Sequence, residues 1–351
     1  MKATTLTKTK TKANDPAAKP SIRRYCKHCK IRFTTKLKTK LYCSDKCKAA
    51  STYQRRANSV EKRIFRAQGS AFFYWVAQQA IRASTLQILE GHTVESMVSL
   101  YNLFKDSIRM NGTGSTERLY VLSHIYAACP DNSSNGVGQL FADNLIIVPA
   151  LDNQRHGNAF KEGTGRSIAR RSLKLKHHVH NDETPKEVIK RLVDFLGEDF
   201  VEKVVVKAKI QPTARIKLFA WFEANGIKTP SEKLSTQQLQ ALKDEHMGKE
   251  GGKGFTFKLK AYTPTEVYAA ELERLNASEE AQLYLKGVIW LNLSNIPHDV
   301  IAKAHMVCFK FLHQEIPDAT PHLVHFLKPY IDITTLVDDT DYSDLNVACP
   351  F

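Results

Sequence analysis

Long apolar segments are missing from this sequence. The longest uninterrupted apolar run covers seven residues, Ala71 to Ala77, whereas a helix that crosses a bilayer needs about 20. The N-terminus is rich in Lys and Thr and has no apolar segment of the kind that secretory signals carry. We therefore expect no membrane-spanning helix, no membrane partner and an intracellular, cytoplasmic protein.

Acidic residues are nearly missing from the first 66 residues, which hold only Asp15, Asp45 and Glu61 against 20 Lys and Arg, a charge of +17. The whole chain has 51 Lys and Arg and 36 Asp and Glu, so the other 285 residues carry 31 basic against 33 acidic side chains, about −2. Concentrated positive charge attracts phosphate backbones. The pattern favours a nucleic-acid-binding arm, although a solvated tail that aids solubility would show the same charge.

Cysteine is scarce outside one short window. Four of the seven cysteines fall within 22 residues with the spacing C-x2-C-x13-C-x3-C: Cys26, Cys29, Cys43 and Cys47. Two short-spaced thiolate pairs favour tetrahedral Zn2+, whereas a disulfide framework suits secreted proteins. We predict a structural zinc ion on these four cysteines. His28, between the first two, is expected at the surface or on a phosphate.

The cysteine window resembles the short zinc-ribbon or treble-clef modules of many phage and mobile-element proteins. Ser44 or Asp45 can cap a helix that places the last two cysteines at its start. We assign residues 23–50 to this module. Residues 1–22, which offer almost nothing to bury, are predicted to be a disordered basic tail.

Residues 51–115 are predicted to form basic and then amphipathic helices. We expect a helix or helix pair over residues 49–83, broken near Gly69-Ser70, and a second helix over 94–110 with one apolar stripe. The basic half of the first is expected to lie along phosphates. Its arginines are Arg55, Arg56 and Arg63.

Residues 116–180 contain the pattern that points to chemistry. A predicted strand ends near His124, a polar loop follows, and a second strand over residues 143–149 is opened by Asn144. A short helix with Asn153 comes next. This order resembles the ββα-metal finger of HNH endonucleases, and the nine-residue step from Asn144 to Asn153 matches the spacing in that family.

The resemblance implies a role for each of these residues. His124 would be the general base that takes a proton from water, and Asn144 would fix the loop and orient that imidazole. Asn153 would bind a catalytic Mg2+ or Mn2+, whose other ligands are water and phosphate oxygens. Arg155 or His156 would contact the scissile phosphate.

One position departs from the family pattern. Many HNH enzymes have Asp directly before the catalytic His as a second metal ligand, and Ser123 stands there in this chain. Relatives that hold the cation through a single helix Asn exist in the wider His-Me finger group. In the alternative interpretation His124 is a hydrogen-bonded histidine at a strand end, and Asn144 and Asn153 are turn and cap residues.

A second basic cluster lies in residues 155–176, where Glu162 stands among seven Lys and Arg. We predict a phosphate-facing patch here, although a solvated helix face would give the same pattern. Its arginines are Arg155, Arg166, Arg170 and Arg171. Three nearby histidines are not expected to bind a metal, since no fourth ligand is in view: His177, His178 and His180.

Residues 181–351 are predicted to be helical and carry no enzyme motif. Capping patterns at Thr184-Pro185-Lys186-Glu187 and Ser235-Thr236-Gln237-Gln238 indicate two helix starts. Further packed helices are expected over residues 264–276, 279–293 and 299–312, followed by an acidic tail. This region would serve packing, substrate positioning or partner binding, including a possible homodimer.

The whole sequence predicts an α+β, predominantly helical protein with a four-cysteine zinc module, a central ββα-metal finger and a helical C-terminal region. We expect an HNH-type endonuclease that hydrolyses DNA, cytoplasmic in the host cell if phage-encoded, with structural Zn2+ and catalytic Mg2+ or Mn2+. Two other classes remain open. One is a non-catalytic zinc-containing DNA-binding protein, such as a regulator or packaging factor; the other is a phage structural or host-takeover protein that binds a protein partner.

Overall fold

The computed structural model describes residues 21–113, 117–129, 134–248, 259–290 and 295–337. Two predicted features lie mostly outside these ranges: the tail over residues 1–22 and the acidic C-terminal tail. The chain forms two compact units that separate between Lys62 and Arg63.

The first unit consists of a β-hairpin and most of a long helix. Strands β1 (Ile22–Tyr25) and β2 (Arg32–Thr35) pair antiparallel, with Tyr25 opposite Arg32. Helix α1 (Asp45–Gln68) begins in this unit and continues past its end. Only Cys26 and Thr35 are buried among the described residues up to Lys62, so this part of the chain has no hydrophobic core.

The predicted break in the first helix is confirmed. Helix α1 ends at Gln68, and helix α2 begins at Ala71 after a cap in which the hydroxyl of Ser70 accepts a hydrogen bond from Phe73 N–H (3.1 Å). The apolar half of the segment is packed, because Phe72 and Phe73 are both 1% exposed. Phe72 and Phe73 are therefore core residues, whereas Tyr74 on the same helix is 45% exposed.

The second unit is mostly helical and contains two small antiparallel sheets. Strands β3 and β5 form one sheet, and strands β4 and β6 form the other. In chain order the elements are α2 (Ala71–Arg82), α3 (Val94–Met110), β3 (Tyr120–His124), β4 (Gly136–Gly138), β5 (Leu145–Pro149), α4 (Ala150–His156), β6 (Ser167–Ala169), α5 (Pro185–Leu196), α6 (Glu198–Lys207), α7 (Ala214–Ala224), α8 (Thr236–His246), α9 (Pro264–Arg274), α10 (Glu279–Trp290), α11 (His298–Leu312), α12 (Thr320–Leu327) and α13 (Thr334–Val337).

These elements confirm an α+β, predominantly helical fold. The predicted capping boxes are present, with Thr184 and Glu187 reciprocally bonded at α5 and Ser235 and Gln238 at α8. Within the described part of the chain, no helix combines the length and apolar content needed to cross a membrane.

Two hydrophobic cores meet at β5. Side chains alternate along a strand, so Leu145 and Ile147 enter a core formed with α2, α3, α5 and α6, while Ile146 and Val148 enter a core formed with α9 to α12. All four side chains are 0% exposed. The position of β5 in turn fixes the start of α4, which follows Pro149 directly.

The free edge of β5 is closed by side chains of α9. Oε2 of Glu271 accepts a hydrogen bond from Ile147 N–H (3.1 Å) and forms an ion pair with Arg274 (2.6 Å). Arg274 donates to the backbone carbonyls of Ala142 (3.2 Å) and Leu145 (2.7 Å). Because buried backbone groups need partners, this carboxylate–guanidinium pair replaces a neighbouring strand.

Replacing Glu271 with Ala should lower the free energy of unfolding of the second unit by about 3 kcal/mol. The variant leaves Arg274 without its carboxylate in a largely enclosed site and the N–H of Ile147 without an acceptor. Urea unfolding followed by tryptophan fluorescence measures the change, because every tryptophan lies in this unit: Trp75, Trp221 and Trp290.

The matched control is Glu273→Ala, on the same helix with a side chain that is 66% exposed. It should change the free energy of unfolding by less than about 0.5 kcal/mol. Equal losses in the two variants would contradict the role assigned to Glu271.

Candidate metal centre and candidate active site

The four predicted zinc ligands lie together. The sulfurs of Cys26, Cys29, Cys43 and Cys47 are all within 4.8 Å of one another. The sulfur of Cys43 is 3.7 Å from that of Cys29 and 3.4 Å from that of Cys47. Four thiolates on a tetrahedral zinc at about 2.3 Å would have sulfurs ~3.8 Å apart. The group can therefore hold a metal ion such as zinc.

Local backbone structure places these ligands. After β1 the chain turns tightly, with Lys30 N–H bonded to Cys26 C=O (3.0 Å), while Ser44 caps α1 by accepting from Cys47 N–H (3.3 Å). Burial raises the pKa of the Cys26 thiol, but hydrogen bonds from the backbone, led by that of Cys43, outweigh it and lower the pKa to about 6. A thiol that ionises readily is suited to a cation. His28 is exposed and is not part of the cysteine group.

Removing the metal should unfold the first unit and leave the second unit folded. A unit without a hydrophobic core depends on its metal for stability. Treatment with a zinc chelator should therefore abolish the NMR dispersion of residues 21–62, while the urea midpoint seen by tryptophan fluorescence stays unchanged.

Zinc content by colorimetric release should be one ion per chain, and Cys43→Ser should lose it. Cys129→Ser is the control, because Cys129 is exposed and lies outside the group. A chelated protein whose first unit keeps its dispersed spectrum would contradict a structural role for the metal.

The basic part of α1 is exposed on every side. Residues 52–58 are all exposed, which for a helix means two turns without a packed face. Arg55 and Arg56 lie in this stretch, whereas Arg63 forms an ion pair with Glu202 on α6. The three predicted phosphate-binding arginines of α1 thus divide into two that are exposed and one that is held by a carboxylate.

His124 lies at the end of β3 and is 8% exposed. Its Nε2 is buried, and no described residue hydrogen bonds it. Burial, assisted by the nearby positive charge of Arg82, lowers the pKa of His124 to about 3, so the imidazole is neutral at pH 7. Arg82 also donates to Oδ1 of Asn158 (3.1 Å), just after α4.

Asn144 is fully buried, and both Oδ1 and Nδ2 of its side-chain amide form hydrogen bonds that hold the loop after His124. Its Oδ1 accepts from the N–H groups of Tyr126 (3.0 Å) and Arg166 (2.9 Å). Its Nδ2 donates to the carbonyls of Tyr126 (3.3 Å) and Gln139 (2.8 Å). Asn144 thus joins three backbone segments around this loop. These bonds position backbone and do not include the ring of His124.

Gly165 makes the approach of Arg166 to Asn144 possible. It has a φ of 61°, and a Cβ at this position would overlap Oδ1 of Asn144 and lie 2.7 Å from the N of Tyr126. Any side chain here would push the backbone away from the amide. The glycine is therefore part of the same loop anchor.

Ser123 is committed to a partner in the C-terminal region. Its hydroxyl lies 3.0 Å from Nε2 of His313, whose Nδ1 lies 2.9 Å from the carbonyl of Phe309. Because a carbonyl only accepts, Nδ1 carries the proton and Nε2 accepts from the Ser123 hydroxyl. Burial lowers the pKa of His313 to about 4. Ser123 therefore does not replace the carboxylate that the family pattern would place there.

Helix α4 carries the other predicted site residues. Asn153 is half-buried. The ring of His156 packs 4.3 Å from that of His313, with Nδ1 3.7 Å from Glu315 and Nε2 buried without a partner among the described residues. Arg155 is exposed, 3.7 Å from Asp152. No hydrogen bond within the described ranges joins Asn153 to the ring of His124.

The second basic cluster, residues 155–176, does not form the solvated helix face that was the alternative interpretation of its sequence. It contains β6, paired with β4, and two short 3-10 turns. Arg166 donates to Oε1 of Gln139 (3.0 Å) and lies 3.6 Å from the ring centroid of Phe141, and Arg170 donates to Ser134 C=O (3.0 Å). Arg155 and Arg171 are exposed.

Across the described ranges, the four cysteines form the one group of three or more His, Cys, Asp or Glu side chains close enough to share a metal ion. His177, His178 and His180 are not part of that group. No protein-family model, curated protein or solved structure matches the chain at a significant level.

Acidification should destabilise the second unit through its buried histidines. Between pH 6.5, where an unfolded histidine titrates, and about pH 3, where His124 titrates in the fold, the unfolded state binds more protons, so stability falls as the pH falls. For His124 the loss from pH 7 to pH 5 is about 2 kcal/mol. The variant His124→Leu should lose that much less over this range in urea unfolding.

His322→Leu serves as the control, because His322 is exposed on α12. It should retain the wild-type pH dependence. An unchanged pH dependence in His124→Leu would show that His124 is not held neutral in the fold.

Proposed function

We propose that the protein is a metal-dependent endonuclease that hydrolyses phosphodiester bonds in DNA, with the zinc module and basic helix holding the substrate. The observation that carries the proposal is the hairpin of β3 and β5 followed directly by α4, with His124 at the end of β3 and Asn144 fastening the intervening loop. A ββα-metal finger of the HNH type would have this order and these residues.

His124 would act as the proton acceptor for the attacking water. Its imidazole is neutral at pH 7, so a lone pair is available. Since Nε2 is enclosed, the proton acceptor would be Nδ1. Asn144 would position this base through the backbone, because its carbonyl accepts from Ile125 N–H (2.9 Å), directly after His124.

The residues that would hold a catalytic divalent ion are few. Asn153 would supply one amide oxygen, while the hydroxyl of Ser123 is engaged with His313 and Oδ2 of Asp152 accepts from Tyr268 (2.8 Å). Such a site suits Mg2+ or Mn2+, which retains waters and binds substrate phosphates. When bound, the ion would stabilise charge on the phosphate and leaving oxygen. Arg155, exposed one turn from the start of α4, would contact phosphate.

Substrate binding would come mainly from charge. Arg55 and Arg56 lie on two fully exposed turns of α1, within a 66-residue segment that carries +17. Basic side chains on a rigid helix bind phosphates by releasing counterions. The zinc module would fix the start of that helix, because Cys43 lies just before it and Cys47 lies in its first turn.

A non-catalytic DNA-binding protein is the second candidate. It is favoured by the near-complete enclosure of His124 and by the engagement of Ser123 with His313. In that case the same zinc module and basic helix would bind DNA, and the hairpin and α4 would serve only the fold.

The two candidates differ in cleavage. Purified, zinc-loaded protein should cut plasmid or single-stranded DNA when Mg2+ or Mn2+ is added and leave it intact without added metal. His124→Gln, which keeps most of the side-chain volume, should lower the rate roughly 100-fold or more, since it removes the general base. Asn153→Ala should raise the metal concentration needed for half-maximal rate.

His322→Gln is the matched control and should cut at the wild-type rate. DNA affinity and urea unfolding of each variant separate a catalytic loss from misfolding. If the wild type binds DNA tightly yet cuts no linear, supercoiled or branched substrate, the non-catalytic protein is the correct assignment.

A further inference from the structure

The chain after β6 forms a turn that is fastened at its centre to a residue far away in sequence. Lys174 N–H donates to Oε1 of Gln87 (2.5 Å), and Nε2 of Gln87 donates to Ser172 C=O (3.3 Å). Gln87 itself is 1% exposed. The 3-10 turn Leu175–His177 begins directly after this anchor.

A second anchor follows the turn. Val179 is 0% exposed, and its N–H donates to Ser84 C=O (3.0 Å). His178 forms an isolated β-bridge with Thr85, and the ring of His177 packs edge-on 4.8 Å from that of Phe195. Anchors on both sides hold the turn in a fixed position on the surface.

Leu175 projects from this turn into solvent. It is 93% exposed, the highest value among the large hydrophobic side chains of the described residues, ahead of Tyr53 at 78%. Its neighbours Lys174 and Lys176 are also exposed, as is Arg171. Covering an apolar side chain that is held in water between lysines would lower the free energy of the complex with a partner.

The sequence of the turn is basic, which favours a polyanionic partner; the acidic side chain beside its anchor is Glu90, whose carboxylate accepts a hydrogen bond from Nε2 of Gln87 (2.8 Å). No acidic residue occurs between Glu162 and Asp182, whereas that interval holds five Lys and Arg. A lipid surface would need several apolar side chains for stable attachment. A nucleic-acid duplex needs one, because a single apolar wedge inserted at a base step unstacks and bends it. One leucine between two lysines fits the duplex.

The same segment begins at the candidate active site. Arg166 N–H is bonded to Asn144 (2.9 Å), and β6 then pairs with β4 in the loop that follows His124. A duplex distorted at Leu175 would therefore be held by the segment that is anchored to the candidate catalytic loop.

We propose that Leu175 is a wedge that inserts between base pairs of a bound duplex, with Lys174 and Lys176 contacting the phosphates on either side. The proposal rests on the DNA-binding part of the proposed function and does not require catalysis. It assigns to this turn the bending or unstacking of the substrate.

The test measures duplex distortion and affinity together, without added Mg2+. A 20-base-pair duplex carries end-attached dyes for energy transfer and a 2-aminopurine reporter. Wild type should change the transfer and raise the 2-aminopurine fluorescence. Leu175→Ala should lose at least half of both signals and bind roughly 3- to 10-fold more weakly, whereas Leu175→Phe should retain them.

Two controls separate the effect of inserting Leu175 from the effect of positive charge and from that of any exposed apolar side chain. Lys174→Ala should lower the slope of log affinity against log salt by about 1, and Leu175→Ala should leave that slope unchanged. Met306→Ala, which removes another exposed apolar side chain, on α11, should bind and distort the duplex like wild type.

Several results would overturn the wedge. They are a wild-type level of distortion in Leu175→Ala, a wild type that binds no duplex, and Leu175-dependent binding to vesicles of anionic lipid without duplex distortion. Cleavage is scored separately. A protein that cuts nothing but shows Leu175-dependent distortion keeps the wedge and loses the nuclease; one that cuts while Leu175→Ala distorts normally keeps the nuclease and loses the wedge.

Discussion

The ion pair of Glu271 and Arg274 at the open edge of β5 is the interaction on which the second unit depends. A two-stranded sheet in a protein interior leaves one edge of each strand without partners, and unpaired buried N–H and C=O groups are costly. Here the carboxylate of Glu271 accepts a hydrogen bond from β5 and the guanidinium of Arg274 donates one to it. These side chains of α9 therefore make the hydrogen bonds that a third strand would make. With that edge closed, β5 can be buried on both faces, and the two cores can form against it.

The candidate active site follows from this arrangement. β3 is aligned by its pairing with β5, α4 starts where β5 ends, and Asn144 at the start of β5 holds the loop that leaves His124. Burial lowers the pKa of His92, His124 and His313 alike, so these imidazoles are neutral at pH 7. A base kept neutral by burial retains its lone pair but has low affinity for a proton, so any catalysis here would depend on charge that the substrate brings.

Patterns of nearby residues predicted the secondary-structure elements well. They did not predict contacts between residues far apart in the sequence. The break at Ser70 and the capping boxes of α5 and α8 depend on residues a few positions apart, and the structure confirms each. The apolar stripe predicted for α3 is only partly correct, because Met97 is buried but Ile108, which continues that stripe, is 52% exposed and Leu100 and Leu103 are buried instead. The strands β4 and β6 contain three residues each, too few for an alternating pattern. Glu271 binds a strand 124 residues away, and His313 binds Ser123 across 190 residues; no local pattern shows such partners. Charge predicted the basic surfaces, yet Arg63 and Arg166 have partners within the fold that their position in a basic run does not reveal.

The distance along the chain between β5 and α9 also sets the order in which the molecule can be completed during synthesis. A ribosome that has released residues up to 156 has released β3, β5 and α4, but the edge of β5 and one apolar face of that strand still lack their partners. These arrive only with α9 to α12. The hairpin and α4 therefore cannot be detached as a free-standing domain, and a truncated chain would present an uncovered strand edge, which invites aggregation. The basic N-terminal segment, which we propose binds nucleic acid, thus emerges well before the part of the protein to which we assign cleavage is complete.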